Sequence, residues 1–332
     1  MLCTATHDTK RGEDARARLN VLSEMPRRWR DAAMRWARIN SSARSRMGEE
    51  FAPDRSDEYL YYQALIGAWP AGEEKATEEF AHRILDYMHK AAKEKKVHTS
   101  WINPNPGYDE AITRFVEQTL LGTRSKPFLA QFLPFQKLVA ARGMVNSLSQ
   151  VILKATSPGV PDFYQGCESW DLNLVDPDNR RKVNYAALSA QLDLLEPLLC
   201  EEAAPEIMCR GLEDMLANWP DGRIKQYITV ATLRFRRKFA ENFLQGEYNP
   251  LQAEGPLADR IVSYERKRGD WSSITICPRL ELAGNGLGDT ALNLPAGHYR
   301  NILTKERLNG ESGRIGLDVL FHRCPVALLQ RE

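Results

Sequence analysis

Apolar positions in the first 150 residues recur at helical spacing. Residues 73–96 are the clearest case, with Phe80, Ile84, Tyr87, Met88 and Ala91 at i, i+4, i+7, i+8 and i+11 on one face of an amphipathic helix. Residues 12–40, rich in Ala, Arg, Leu and Met and broken at Pro26, predict two helices. A polar loop is expected over 41–57, followed by a short apolar helix over 58–68 that Pro70 stops. Further helices are expected over 108–121 and 125–149, the second carrying Phe128, Phe132 and Phe135 ahead of Leu138, Val139 and Val145. The texture changes at Gln150, where V-I-L-K-A-T-S-P-G-V-P reads as a buried strand entering a loop. Residues 162–185 are polar and irregular, while 185–199 and 224–237 read as helices. The last segment changes class. I-V-S-Y-E-R-K-R-G-D-W-S-S-I-T-I predicts two strands about a tight turn at 267–270, with more short strands over 297–303 and 316–329. The expectation is an α+β protein whose residues 255–332 form a small antiparallel β domain.

Composition narrows the function. Lys plus Arg number 45 against 44 for Asp plus Glu, a balance that gives no general attraction to nucleic acid or to an anionic membrane. No run of roughly 18 apolar residues suggests a membrane span, and the N-terminus lacks the basic-then-apolar pattern of a secretory signal. Cys3, Cys167, Cys200, Cys209, Cys277 and Cys324 lack metal-ligand spacing and read as reduced thiols of a cytoplasmic protein.

Two segments concentrate chemistry. T-H-D-T-K-R-G-E-D, residues 6–14, admits two readings. Asp8 or Thr9 caps the following helix, with Glu13 and Asp14 favouring its positive end. Alternatively, a short buried strand delivers His7 and Asp8 into a cleft, as strand ends do in a (β/α)8 barrel. The second segment joins G-V-P-D-F-Y-Q-G-C-E, residues 159–168, to W-D-L-N-L-V-D-P-D-N-R-R, residues 170–181. Its acids could simply pair with Arg180 and Arg181. Yet the aromatic faces of Tyr164 and Trp170, beside Glu168, Asp176, Asp178 and the paired arginines, suit a polyhydroxylated ring that offers C–H faces and hydroxyls.

Taken with E-Y-L-Y-Y-Q-A-L-I-G-A-W-P, L-P-A-G-H-Y-R-N-I-L-T and C-P-V-A-L-L, these blocks resemble the maltooligosyl trehalose synthase family. Its members are (1→4)-α-D-glucan 1-α-D-glucosylmutases of the α-amylase superfamily. The resemblance runs the length of the chain. The His-Asp pair is common to the superfamily, whereas H-D-T-K-R and D-P-D-N-R-R are particular to the mutase and disfavour an amylase-type hydrolase. The chain departs from the family pattern at Lys182 and Asn184, where R-R-P-V-D is usual, and at Cys167.

The resemblance implies that residues 1–11 are barrel strand seven and its catalytic loop, and 12–149 a helical insertion walling the acceptor end of the cleft. It implies barrel strand eight, substrate loop and helix over 150–200, a helical connector over 201–254 and the terminal β domain over 255–332. Asp8 then matches the carboxylate that steadies an oxocarbenium-like transition state, and His7 a donor to a hydroxyl of the same ring. Lys10 and Arg11 are expected near the acceptor glucose, and Tyr164, Glu168, Trp170, Asp176, Asp178, Arg180 and Arg181 around the substrate. The ligand implied is a maltooligosaccharide or α-1,4-glucan, with no cofactor or metal, since the substrate supplies both donor and acceptor. The nucleophile and the general acid/base belong on strands four and five, outside this sequence. The chain is thus expected to be the C-terminal portion of the enzyme, inactive alone, with the N-terminal half of the barrel as a candidate partner. The alternative is a non-catalytic remnant that at most binds glucan weakly.

Overall fold

The computed structural model describes residues 1–123, 125–201, 203–280 and 287–332. It begins with β1 (Leu2–Cys3), then α1 (Glu13–Val21) and α2 (Pro26–Ile39). Pro26 occupies the first turn of α2, where a missing N–H costs nothing. A hairpin of β2 (Ser45–Met47) and β3 (Glu50–Ala52) lies within the segment expected to be loop. Side-chain caps then set three helix starts. Asp54 accepts from the Asp57 N–H at 2.7 Å before α3 (Arg55–Ala68). Thr77 accepts from Phe80 N–H at 3.1 Å before α4 (Glu78–Lys95). Asn105 accepts from Tyr108 N–H at 3.2 Å before α5 (Pro106–Leu120).

The next helix, α6 (Ser125–Thr156), overruns the strand expected at 151–156. Leu148, Val151, Ile152 and Ala155 are all buried. Their i, i+3, i+4, i+7 spacing is helical, so the apparent apolar run is one helix stripe viewed end-on. The strand itself is only β4 (Pro161–Asp162). Then follow α7 (Tyr185–Leu199), α8 (Pro205–Ala217), α9 (Arg223–Lys238) and α10 (Ala240–Gln245). The β-rich end comprises β5 (Glu247–Pro250), β6 (Ala253–Glu254), β7 (Ile261–Arg268), β8 (Trp271–Pro278), β9 (Ala291–Asn293), β10 (His298–Asn301), β11 (Arg307–Asn309) and β12 (Arg314–Gly316). A short helix, α11 (Leu317–Leu320), precedes β13 (Ala327–Arg331), so residues 316–329 are not one strand. Residues 281–286, within the expected β domain, lie outside the described residues.

The chain forms two compact units. The helical unit comprises His7–Gly143 and Leu172–Arg181. Its core is aromatic: the Trp36 ring meets Tyr62, Phe132 and Phe135 edge-on at 5.5, 5.3 and 5.6 Å between centroids. Tyr61, Tyr62 and Trp69 are buried as a packed bundle requires, whereas Tyr59 is 44% exposed and its hydroxyl accepts from Trp29 Nε1 at 2.7 Å. Where α6 crosses α1, a Cβ on Gly143 would stand 2.6 Å from Arg18 Cγ and 2.9 Å from its Cα. That close approach seats buried Arg18, which donates from Nη1 to the carbonyls of Gly67 and Trp69 at 3.2 and 2.5 Å.

The mixed unit comprises Met1–Thr6, Met144–Asp171 and Lys182–Glu332. In it β1 and β4 pair in parallel, Leu2 opposite Pro161 and Cys3 opposite Asp162. An antiparallel six-stranded sheet runs in the order β11-β10-β13-β8-β7-β5, so it takes in residues ahead of 255. The β7–β8 hairpin closes at Arg268 and Trp271, with Gly269 at φ +58° supplying the left-handed turn residue. A three-stranded sheet, β12-β9-β6, lies beside an apolar cluster including Ile274, Ile276, Leu292 and Leu329. A second cluster joins Leu148 and Ile152 to Leu195, Leu212, Tyr227 and Phe235 of the following helices. Among the described residues, no helix is long and apolar enough to cross a membrane.

Candidate functional site

In the helical unit, the H-D-T-K-R and D-P-D-N-R-R segments lie side by side although they are about 170 residues apart in sequence. Arg11 forms an antiparallel bridge to Leu174. Gly12 N–H donates to the Asn173 carbonyl at 2.7 Å, and Asn179 Nδ2 donates to the His7 carbonyl at 2.8 Å. His7 Nε2 stands 3.2 Å from Asp8 Oδ2, and the Asp8 side chain is 81% exposed. The Asp8 backbone precedes α1 by several residues, and the α1 N-cap is Gly12, with no side-chain cap.

Both segments are held by one stripe of α4. Glu79, Arg83, Tyr87, Lys90 and Glu94 are spaced 4, 4, 3 and 4, which keeps them on one face of a helix turning about 100° per residue. Glu79 pairs with Arg181 at 3.2 Å. Arg83 makes a two-pronged pair with Asp178, Nε to Oδ1 at 2.8 Å and Nη2 to Oδ2 at 2.9 Å, and also donates to the Leu172 carbonyl at 3.2 Å. Tyr87 accepts at its hydroxyl from Arg11 Nη2 at 3.1 Å, with the guanidinium 5.7 Å from the ring centre. Lys90 donates to the Asp176 carbonyl at 2.6 Å, and Glu94 pairs with Lys10 at 3.1 Å.

Asp178 is the most committed of the acids. Its Oδ2 also accepts from Leu174 N–H at 2.7 Å, and its Oδ1 lies 2.9 Å from Arg181 Nε. Burial pushes this carboxyl up, but the Arg83 hydrogen bond and charge, the Leu174 N–H and Arg181 outweigh it and hold the group below its usual range. Asp176 instead pairs with Arg180, Nε to Oδ1 at 2.6 Å, on the more open side of the loop. A cavity of about 660 Å³ lies between this loop and α4, with Trp101, 63% exposed, on its wall and Lys93 Nζ 4.8 Å from the indole centre.

The mixed unit holds the other candidates. Tyr164 and Glu168 are partly buried, and Glu168 Oε2 is a buried acceptor with no partner among the described residues. Trp170 donates from Nε1 to the Trp219 carbonyl at 2.8 Å and meets that indole edge-on at 5.8 Å, so its N–H is spent internally. Cys167 Sγ lies 3.6 Å from Asp171 Oδ2. Asn184 caps α7, accepting from Ala187 N–H at 3.1 Å. Among the described residues, no three His, Cys, Asp or Glu side chains are grouped as a metal site.

Glu79, Arg83, Tyr87, Lys90, Glu94 and Trp101 were not legible as site residues. Glu, Arg and Lys are ordinary on an exposed helix face, Tyr87 reads as part of the apolar stripe, Trp101 lies beyond the helix, and the partners of the helix residues lie some 90 residues away.

No family model matches the chain. A Mycobacterium tuberculosis protein that carries the name maltooligosyl trehalose synthase is 33% identical over 334 residues, covering 100% of this chain and 38% of that protein. The structure of maltooligosyltrehalose synthase from Arthrobacter ramosus is 32% identical at a TM-score of 0.77, over 99% of this chain and 38% of the other. A further maltooligosyl trehalose synthase crystal structure gives 32% identity and a TM-score of 0.79, over 99% of this chain and 39% of the other. The class common to these relatives is the trehalose-named synthases. Within it, the chain matches a C-terminal part of maltooligosyl trehalose synthase, spanning 38% of the length of its curated relatives.

Proposed function

We propose that this chain contributes the transition-state-stabilising carboxylate and a substrate loop to a glucosylmutase that turns the reducing-end α-1,4 linkage of a maltooligosaccharide into an α,α-1,1 linkage. The observation that carries the reading is the alignment of H-D-T-K-R beside D-P-D-N-R-R on one face of α4. In this reading β1 and β4, parallel neighbours, are the last two strands of a (β/α)8 barrel.

Asp8, exposed beside His7, opposes the positive charge that develops on the donor sugar, while His7 donates to a hydroxyl of that ring. Lys10 and Arg11 face the acceptor glucose with their orientations set by Glu94 and Tyr87. Within the helical unit Asp176 and Arg180 offer hydrogen bonds, and within the mixed unit Tyr164 offers an aromatic face and Glu168 an acceptor. Asp178, Arg181 and Trp170 serve the substrate by shaping the loops, because their polar atoms are engaged by protein partners. A mutase must hold the released glucose and let its anomeric hydroxyl attack before water does, so a rigid acceptor wall is its specificity device. The nucleophile and general acid/base would come from barrel strands outside residues 1–332.

The test is reconstitution. The 332-residue chain is assayed with maltopentaose alone and then with the N-terminal remainder of a relative. The expected result is no trehalose-type product alone, product from the pair, and a loss of about 10⁴-fold or more in the pair when Asp8 is changed to Asn. Turnover by the chain alone, or full activity of the Asp8→Asn pair, would overturn these roles. Glucan binding with no turnover in any pairing would identify a non-catalytic binding protein.

A further inference from the structure

The β10–β11 hairpin of the mixed unit carries a lysine in an unusual place. Asn301 N–H donates to the Glu306 carbonyl at 2.8 Å, and Lys305 N–H donates to the Asn301 carbonyl at 2.8 Å. This closure places Lys305 at φ +62°, in the left-handed region where glycine or asparagine is the usual occupant. Keeping a long side chain at such a position costs stability, and residues held this way cluster at functional sites.

The charge environment is equally unusual. Lys305 Nζ makes no hydrogen bond or ion pair with a described residue. Burial, and then the neighbouring Arg300 guanidinium, lower its pKa. Glu201, the acid whose charge reaches it, is held by Lys238 at 2.8 and 2.9 Å. Arg300 is fixed in place by donating from Nη2 to the Glu201 carbonyl at 2.8 Å.

Both cations line a cavity of about 810 Å³, with His322 beside them and Leu308 and Val319 supplying apolar wall. Two acids also line the cavity, Glu306, which is bound by Arg323 at 2.9 Å, and Asp318. A half-buried ammonium beside a guanidinium, with no ion-pair partner among the described residues, is stabilised by an anion. Two adjacent cations match a group carrying nearly two charges at pH 7, as a phosphate ester does. The cavity is of the size that takes a small organic ligand rather than a bare ion.

We propose that this cavity binds a small phosphate monoester, with the phosphate between Lys305 and Arg300 and the organic part against Leu308 and Val319. Calorimetric titration of the full chain with glucose 6-phosphate and with inorganic phosphate separates an ester site from a bare-anion site. The ester is expected to bind at least tenfold more tightly than inorganic phosphate. Lys305→Gly relieves the left-handed strain, so this variant should melt no lower than the parent yet lose at least tenfold in affinity for the ester. Lys305→Gln, which keeps a side chain of similar length, should lose as much. Absent binding, an ester no tighter than inorganic phosphate, or unchanged affinity in both variants would each overturn the proposal.

Discussion

Asp178 gathers four protein donor contacts within 3 Å, and its partner Arg83 is itself only 14% exposed. Its carboxyl titrates below the usual range, so its contribution to stability is present above about pH 4 and is lost as the pH falls through its depressed folded value. Asp178→Asn should therefore cost about 2 kcal/mol or more at neutral pH, since Arg83 is left without its charge partner. The gap from the parent should narrow as urea unfolding is repeated at pH values falling from 6 through the depressed folded value. A gap that persists at low pH would place the cost in packing rather than charge. At this scale the sequence was legible where residue types are rare in combination. His7, Asp8 and the D-P-D-N-R-R acids stood out because clustered charge near Pro and Gly is unusual. Arg83 did not, because an arginine on a helix announces nothing about an aspartate in a distant loop.

Helices were the most readable elements, since each amphipathic stripe repeats its signal over several turns. The hairpin at 45–52 and the helical end of α6 were missed for opposite reasons. The first is too short to show a period, and the second carries β-branched residues whose local preference is overridden by burial on one stripe. Asn184 shows a departure from the family pattern that has its own local use as a helix cap. The crossing of α1 and α6 depends on Gly143, and sequence alone cannot reveal a contact with a backbone 125 positions earlier. Gly143→Ala should press its methyl against the Arg18 backbone and lower stability by about 1–3 kcal/mol in thermal or urea unfolding. An unchanged melting curve would mean that the two helices can separate without loss.

At the scale of the whole molecule, all six thiols lie in the mixed unit, and none is bridged. Cys3 and Cys200 are exposed, Cys209 is intermediate, and Cys167, Cys277 and Cys324 are buried. Burial pushes the Cys277 and Cys324 thiols up to about 12, which removes their reactive thiolate near neutrality. A thiol reagent at pH 8 should thus modify Cys3 and Cys200 rapidly, Cys209 more slowly, and the other three only after denaturation, as peptide mapping would register. Rapid labelling of Cys277 would show that the cluster around it opens readily. The sequence read the fold class from its two textures, helical early and strand-rich late. It could not read the composition of the units, because residues 172–181 join the helical unit through ion pairs formed across a wide gap in the chain. Those pairs give α4 the character of a ruler. One residue added between Tyr87 and Lys90 would turn the lower part of the helix by about 100° and carry Lys90 and Glu94 away from the face shared with Arg83. The length of that stretch is therefore under geometric constraint even where its individual side chains are free to vary.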